Sequence, residues 1–379
     1  MEASVANLPD LASAALGGQV LFCTDDFFAV GENMILSSEP KWDQNLYTAH
    51  GKWMDGWETR RKRMAGHDWC IIQLGISGII KGVEADTAFF TGNQAPKISI
   101  QAACLETDAV KLPRRRSEMG TAATPSEIAA AEALHSEKWE EILSIVDLKP
   151  GYPETRKNTF AIDSNKRWTH IRLNLYPDGG VARLRVHGQV ARDWSKVSKT
   201  ETIDLIAVAN GGEGVACSNQ HYGKPSNLNL PSRSAGMFDG WETARDPSRP
   251  GVFKVGPDGY LISPNYEWAV MKLGHVGNVH QVQVDTEHFK GNFPESCHVQ
   301  GTDFTGDVAA FQESTAKTSS RKRKHDEPVW FDLVPRSRLS ANLLHIFDAQ
   351  NMNKKVTYVR ITIFPDGGVS RLRVMGNIA

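Results

Sequence analysis

Four blocks of residues occur twice in this chain, in the same order. Met54-Asp55-Gly56-Trp57-Glu58-Thr59 returns as Phe238-Asp239-Gly240-Trp241-Glu242-Thr243. Trp69-Cys70-Ile71-Ile72-Gln73-Leu74-Gly75 returns as Trp268-Ala269-Val270-Met271-Lys272-Leu273-Gly274. Asp86-Thr87 with Phe90 and Gly92-Asn93 returns as Asp285-Thr286 with Phe289 and Gly291-Asn292. The segment from Tyr176 to Gly188 returns from Phe364 to Gly376, differing at three of thirteen positions. Kept order marks a tandem duplication. Each unit spans about 190 residues, the size of a domain and not of a solenoid repeat.

A unit of that size can bury a full core without disulfides or metal. The expected division of the 379 residues is a first repeat over 1–195, a linker over 196–214 and a second repeat over 215–379. Lys plus Arg number 43 against 44 for Asp plus Glu, so no global field draws nucleic acid or an anionic membrane. The five cysteines have no CxxC spacing, and none of the four repeated blocks keeps one in both copies. That predicts reduced thiols in a cytoplasmic protein. No apolar run approaches a membrane span, and the N-terminus lacks a basic leader pattern.

The blocks read as strands and turns. Ile171, Leu173 and Leu175 alternate on one face, Pro177-Asp178-Gly179-Gly180 supplies turn chemistry, and Ala182, Leu184 and Val186 alternate on the return. This predicts a closing β-hairpin in each unit, with Arg183 and Arg185, and later Arg371 and Arg373, facing away from the apolar side. Their expected role is pairing with acidic neighbours, with carboxylate capture as the alternative. Gly, Pro and Asn clusters between strands favour an antiparallel sandwich. One helix is expected: Thr124-Pro125-Ser126-Glu127 fits a capping box, and Trp139, Ile142, Leu143 and Val146 follow at helical spacing. Ile203 to Ala209, in the connector, is placed to pair with a sheet. The run Arg321-Lys322-Arg323-Lys324 fits a solvated surface loop better than a nuclear address.

Taken together, the Trp-x-Ile/Val-x-x-Leu-Gly strand, the Asp-Thr-x-x-Phe-x-Gly-Asn loop and the closing Arg-Leu-Arg-Val-x-Gly strand resemble the galactose-binding-like jelly roll. Two such units, each with Asp-Gly-Trp-Glu-Thr, resemble the allantoicase family over nearly the whole chain. The resemblance implies an all-β fold of two tandem jelly-roll β-sandwich domains, each with a helical or irregular insertion. It further implies hydrolysis of allantoate to ureidoglycolate and urea in purine degradation, and a homo-oligomer.

Cleaving that C–N bond asks for a cation to hold the carboxylate, a proton for the leaving ureido nitrogen, and a base. The repeated blocks contain such groups. Glu58, Asp86, Glu242, Asp285 and His288 are the candidate catalytic residues; Asp55, Arg61, Asn93, Asp239, Arg245 and Asn292 are the candidate substrate-binding ones. Each has a structural reading beside it: Asp-Gly makes turns, Gly-Asn makes turns, Glu and Arg form ion pairs, and Trp57 and Trp241 fit core anchors. Glu287 and His288 add titratable groups that the first copy lacks, which favours the second half as the reactive one. No histidine spacing suits a metal, and no phosphate or dinucleotide fingerprint is present, so neither metal nor organic cofactor is expected. The rival class is a tandem module that binds a sugar or protein and performs no chemistry.

Overall fold

One strand organises each unit. In the first, Asp68–Asp86 runs for 19 residues, and its partners change partway along. The computed structural model describes residues 3–106, 109–313 and 327–379. Residues 68–73 lie between Gln19–Cys23 and Trp168–Tyr176, which continues the sheet through Lys97–Ala103 to Glu140–Asp147. Residues 78–86 pair instead with Arg183–Val190 and Lys157–Ala161. The register breaks between Gln73 and Gly78, where the strand passes from one layer to the other.

The second unit repeats this plan. Glu267–Asp285 pairs first with Glu213–Cys217 and Lys355–Phe364, then with Arg371–Ile378 and Leu344–Asp348. Ser296–Thr302 and Phe331–Arg338 extend the first layer. Each unit is thus an antiparallel jelly-roll sandwich, and the chain divides into compact units Met1–Arg192 and Asp193–Ala379. Ile203–Asp204 pairs with the last strand of the second unit, as the connector's apolar run predicted. Between the layers Ile171, Leu173, Leu175, Leu184 and Val186 are buried. Each such side chain stabilises the fold by about 1.5–3 kcal/mol relative to exposure.

Two expectations need correction. Trp168–Tyr176 and Arg183–Val190 do not form a hairpin; both pair with the long strand and neither with the other. Alternation identifies a strand's buried face but not its partner. The intervening Gly180–Val181 pairs with Trp57–Glu58 and carries the chain across. Gly180 has no room for a side chain, since a Cβ there would stand 2.0 Å from the Phe90 ring; at Gly368 it would stand 1.9 Å from Phe289. The repeated Gly-Gly turn and the repeated phenylalanine are therefore one packing unit.

The second correction concerns the helix. The capping box forms as expected, but the helix is only Pro125–Glu132. Ile142, Leu143 and Val146 belong to the strand Glu140–Asp147. Two register shifts against Lys97–Ala103 space its inward residues unevenly, which imitates a helical period, while Ile142, Ile145 and Val146 favour a strand. The insertion carrying the helix covers the outer face of the sheet, where Phe22, Trp69, Ile71 and Ala131 form a second core. Arg321–Lys324 lies outside the described residues. No helix among the described residues is long and apolar enough to cross a membrane.

Candidate functional site

Trp57 and Trp241 anchor the repeated motif in the core. Each is fully buried, and its indole N–H donates to a backbone carbonyl, of Asp25 at 2.8 Å and of Asn219 at 2.9 Å. The next residue in each short strand is the glutamate. Glu58 pairs through its backbone with Gly180 on one side and Ala29 on the other. Its side chain is 8% exposed. The Asn93 amide donates to Glu58 Oε1 at 2.7 Å. In the second unit Asn292 donates to Glu242 Oε1 at 2.6 Å. Burial pushes the Glu58 carboxyl up to about 7, with the Asn93 amide pulling the other way. A carboxyl poised there can give or take a proton near neutrality.

The other predicted residues divide by environment. Asp55 receives Arg183 Nη2 at 2.9 Å and the Lys41 amide at 2.7 Å. Asp239 receives Arg371 Nη2 at 2.8 Å and the Ala235 amide at 3.0 Å. Arg183 and Arg371 are buried and also bind nearby carbonyls, so these pairs fasten the rim loop to the closing strand. Arg185 reaches Asp10 and Arg373 reaches Asp204. All four arginines thus take the acid-pairing role.

Asp86 and Asp285 are buried. Asp86 accepts from the Ala88 amide at 2.8 Å and pairs with Arg156 at 2.8 Å. Burial holds its carboxyl above the usual range, against the Ala88 amide and Arg156. Asp285 accepts from the Glu287 amide at 2.9 Å, with Arg233 at 3.7 Å. Arg233 also pairs with Glu287 at 2.8 Å. Neither arginine partner is legible in the repeated blocks, because the two come from different places: Arg156 precedes a strand, whereas Arg233 occupies the position of Glu39.

His288 is held as well. Its Nε2 lies 2.9 Å from the Ser234 carbonyl, a contact only an N–H can satisfy, so the ring is oriented by backbone. Phe89 takes its place in the first copy, and both residues have φ of 70°. Arg61 and Arg245 are exposed and form no ion pair with the described residues, which leaves their guanidinium forks open to an incoming anion. Among the described residues no group of three or more His, Cys, Asp or Glu is placed to hold a metal ion. A cavity of about 30 Å³ lined by Phe22, Asp26, Arg115 and Glu127 includes none of these site residues, and Asp26 and Glu32 already take up the charge of Arg115.

The structure thus brings together Glu58 with Asn93, and Glu242 with Asn292, at corresponding rims of two sandwiches. Such a chain is a tandem jelly-roll protein with one polar cluster built twice. The family model described as the allantoicase repeat matches residues 9–191 and 203–379. A probable allantoicase of Pseudomonas paraeruginosa is 41% identical over 97% of this chain and 95% of its own length. One from Pseudomonas savastanoi is 40% identical over 98% and 96%. The crystal structure of allantoicase from Saccharomyces cerevisiae has a TM-score of 0.64 at 32% identity, covering 98% of this chain and 94% of that one. The chain belongs to the allantoicase family.

Proposed function

We propose that this chain hydrolyses allantoate to ureidoglycolate and urea, with the glutamate–asparagine pairs as its reacting groups. Glu58, protonated in an appreciable fraction of molecules at neutral pH, gives its proton to the departing ureido nitrogen, which leaves poorly as an anion. Asn93 fixes one carboxyl oxygen and leaves the other to face substrate. Arg61, or Arg245 in the second unit, meets the substrate carboxylate through two parallel N–H donors. The observation that carries the site is the recurrence of one carboxyl–amide geometry in both halves, at 2.7 and 2.6 Å.

A non-catalytic carbohydrate- or protein-binding module is not favoured, because the relatives matching nearly the whole chain are named as allantoicases. The same reading makes the enzyme a cytoplasmic homo-oligomer; light scattering on the purified protein measures its assembly, and cell fractionation its location. The direct test is urea release from allantoate by the wild type, Glu58→Gln and Glu242→Gln. Loss in Glu58→Gln with folding intact supports Glu58 as the acid, and full turnover in that variant removes it; loss in Glu242→Gln alone moves the role to the second unit.

A further inference from the structure

The two halves differ sharply in one loop. Sixteen residues separate Ser38 from Asp55, whereas six separate Ser232 from Asp239. The extra length in the first unit includes a small hairpin, Tyr47–Thr48 with Gly51–Lys52.

This hairpin packs against both segments that hold the candidate acid. At its turn, the His50 ring lies 5.0 Å from the Phe27 ring. A Cβ on Gly51 would meet the Phe28 ring at 3.8 Å, ordinary van der Waals contact. The amides of Phe28 and Ala29 in turn donate to the Glu58 carbonyl, each at 3.3 Å. At its base, Lys52 Nζ sits 4.8 Å from the Trp42 ring and 4.7 Å from the Tyr47 ring. Trp42 stacks at 5.6 Å on Phe89, in the loop that ends at Asn93. The insertion therefore braces the Glu58 strand on one side and the Asn93 loop on the other.

Among the described residues the second rim has only the shorter loop, whose Met237 Sδ lies 3.5 Å from the Asn292 amide nitrogen. Tyr222 replaces Phe28 and still donates its amide to the Glu242 carbonyl at 3.1 Å, yet its side chain is 64% exposed. Phe238, next to Asp239, is 78% exposed. Glu242 is half-buried where Glu58 is buried. Glutamate, asparagine and backbone pairing are common to both rims, and the covering differs.

We propose that the Tyr47–Lys52 hairpin is a positioning element of the reaction: it excludes water from Glu58, so that the first unit supplies the proton while the second presents an open site. The proposal rests on Glu58 being the acid. Its physical basis is that removing water disfavours a carboxylate far more than a carboxylic acid, and a general acid works best when its proton affinity matches the working pH. Burial is what lifts the Glu58 carboxyl.

The test removes Asp43–Lys52 from the full chain, which leaves a loop of the second unit's length. Glu58 is then titrated by carboxyl-carbon NMR, with Glu58→Gln identifying its resonance. The midpoint is expected to fall by about one unit or more, the basic limb of kcat/KM moving with it and the rate at pH 7 dropping about tenfold. An unmoved midpoint in the folded variant overturns the proposal. Should the deletion fail to fold, His50→Gly combined with Trp42→Ala loosens the same contacts, and an unmoved midpoint there has the same force. Full activity in Glu58→Gln would instead strike the acid assignment, and the NMR midpoint still reports on the hairpin.

Discussion

Arg183 and Asp55 meet at 2.9 Å, the guanidinium fully buried and the carboxylate nearly so, and the second unit reproduces the contact between Arg371 and Asp239 at 2.8 Å. Because the arginine also binds the carbonyls of Ser38 and Asp55, it works as a buried clamp on the rim loop. Removing one partner of such a pair leaves an uncompensated charge. Arg183→Met should therefore cost about 3–5 kcal/mol of stability in urea unfolding. A cost below about 1 kcal/mol, the level of a surface ion pair, would contradict the clamp.

Glu58→Gln should lower kcat by roughly 10²–10⁴-fold with an unchanged melting temperature near pH 5, since a general acid contributes on that scale. Stability against pH gives a second reading. A carboxyl whose folded value lies near 7, above the ordinary glutamate value of 4.5, binds protons more tightly in the folded state. Its stabilising contribution is complete below pH 4.5, falls as pH rises through 7 and is then gone. The wild type should lose roughly 3 kcal/mol relative to Glu58→Gln across that window. Parallel pH profiles of unfolding would refute the raised value.

Asn93→Ala removes the amide that favours the ionised carboxylate. The Glu58 midpoint should rise, carrying the basic limb of the rate profile to higher pH, whereas Asn93→Asp should raise it further through like charge. A limb that stays fixed in both variants would separate Asn93 from Glu58 in function.

Arg156 and Arg233 face buried carboxylates from very different degrees of exposure, 19% and 68% for their side chains. Arg156→Met should destabilise the first unit by about 2–4 kcal/mol, and Arg233→Met the second by about 1 kcal/mol or less. Equal losses would show that burial does not set the difference.

Arg61→Lys and Arg245→Lys keep the charge and lose the fork. Whichever one holds the substrate carboxylate should raise KM by the equivalent of about 1–3 kcal/mol with little change in stability. Unchanged KM in both would move carboxylate capture elsewhere.

Much of this architecture is legible in the sequence because duplication supplies an internal comparison. Trp57 and Trp241 read correctly as anchors, and Arg183 and Arg371 as partners of acids, since their positions relative to the apolar stripe are the same twice. What escaped has a common physical cause. Strand partners are chosen by the whole chain, so the alternation around Ile171 and Leu184 could not reveal that both strands share Asp68–Asp86. Asn93 reads as a polar loop residue, but the sequence does not show that its amide meets Glu58, a carboxylate 35 residues away. Nor does the sequence show that the His288 ring meets a carbonyl 54 residues away. Distance along the chain hides such commitments.

The exchange of Glu39 for Arg233 has a consequence for how the two halves can have diverged. In the first unit the loop acid pairs with Arg156, which also neutralises Asp86; in the second the loop base itself faces Asp285, and Leu343 stands in the place of Arg156. Copying the first loop into the second unit would gather Glu39, Asp285 and Glu287 with no cation. The reverse copy would set two guanidinium groups against Asp86. Exchanging the two loops is thus penalised electrostatically in both directions, so the halves are not interchangeable at this position.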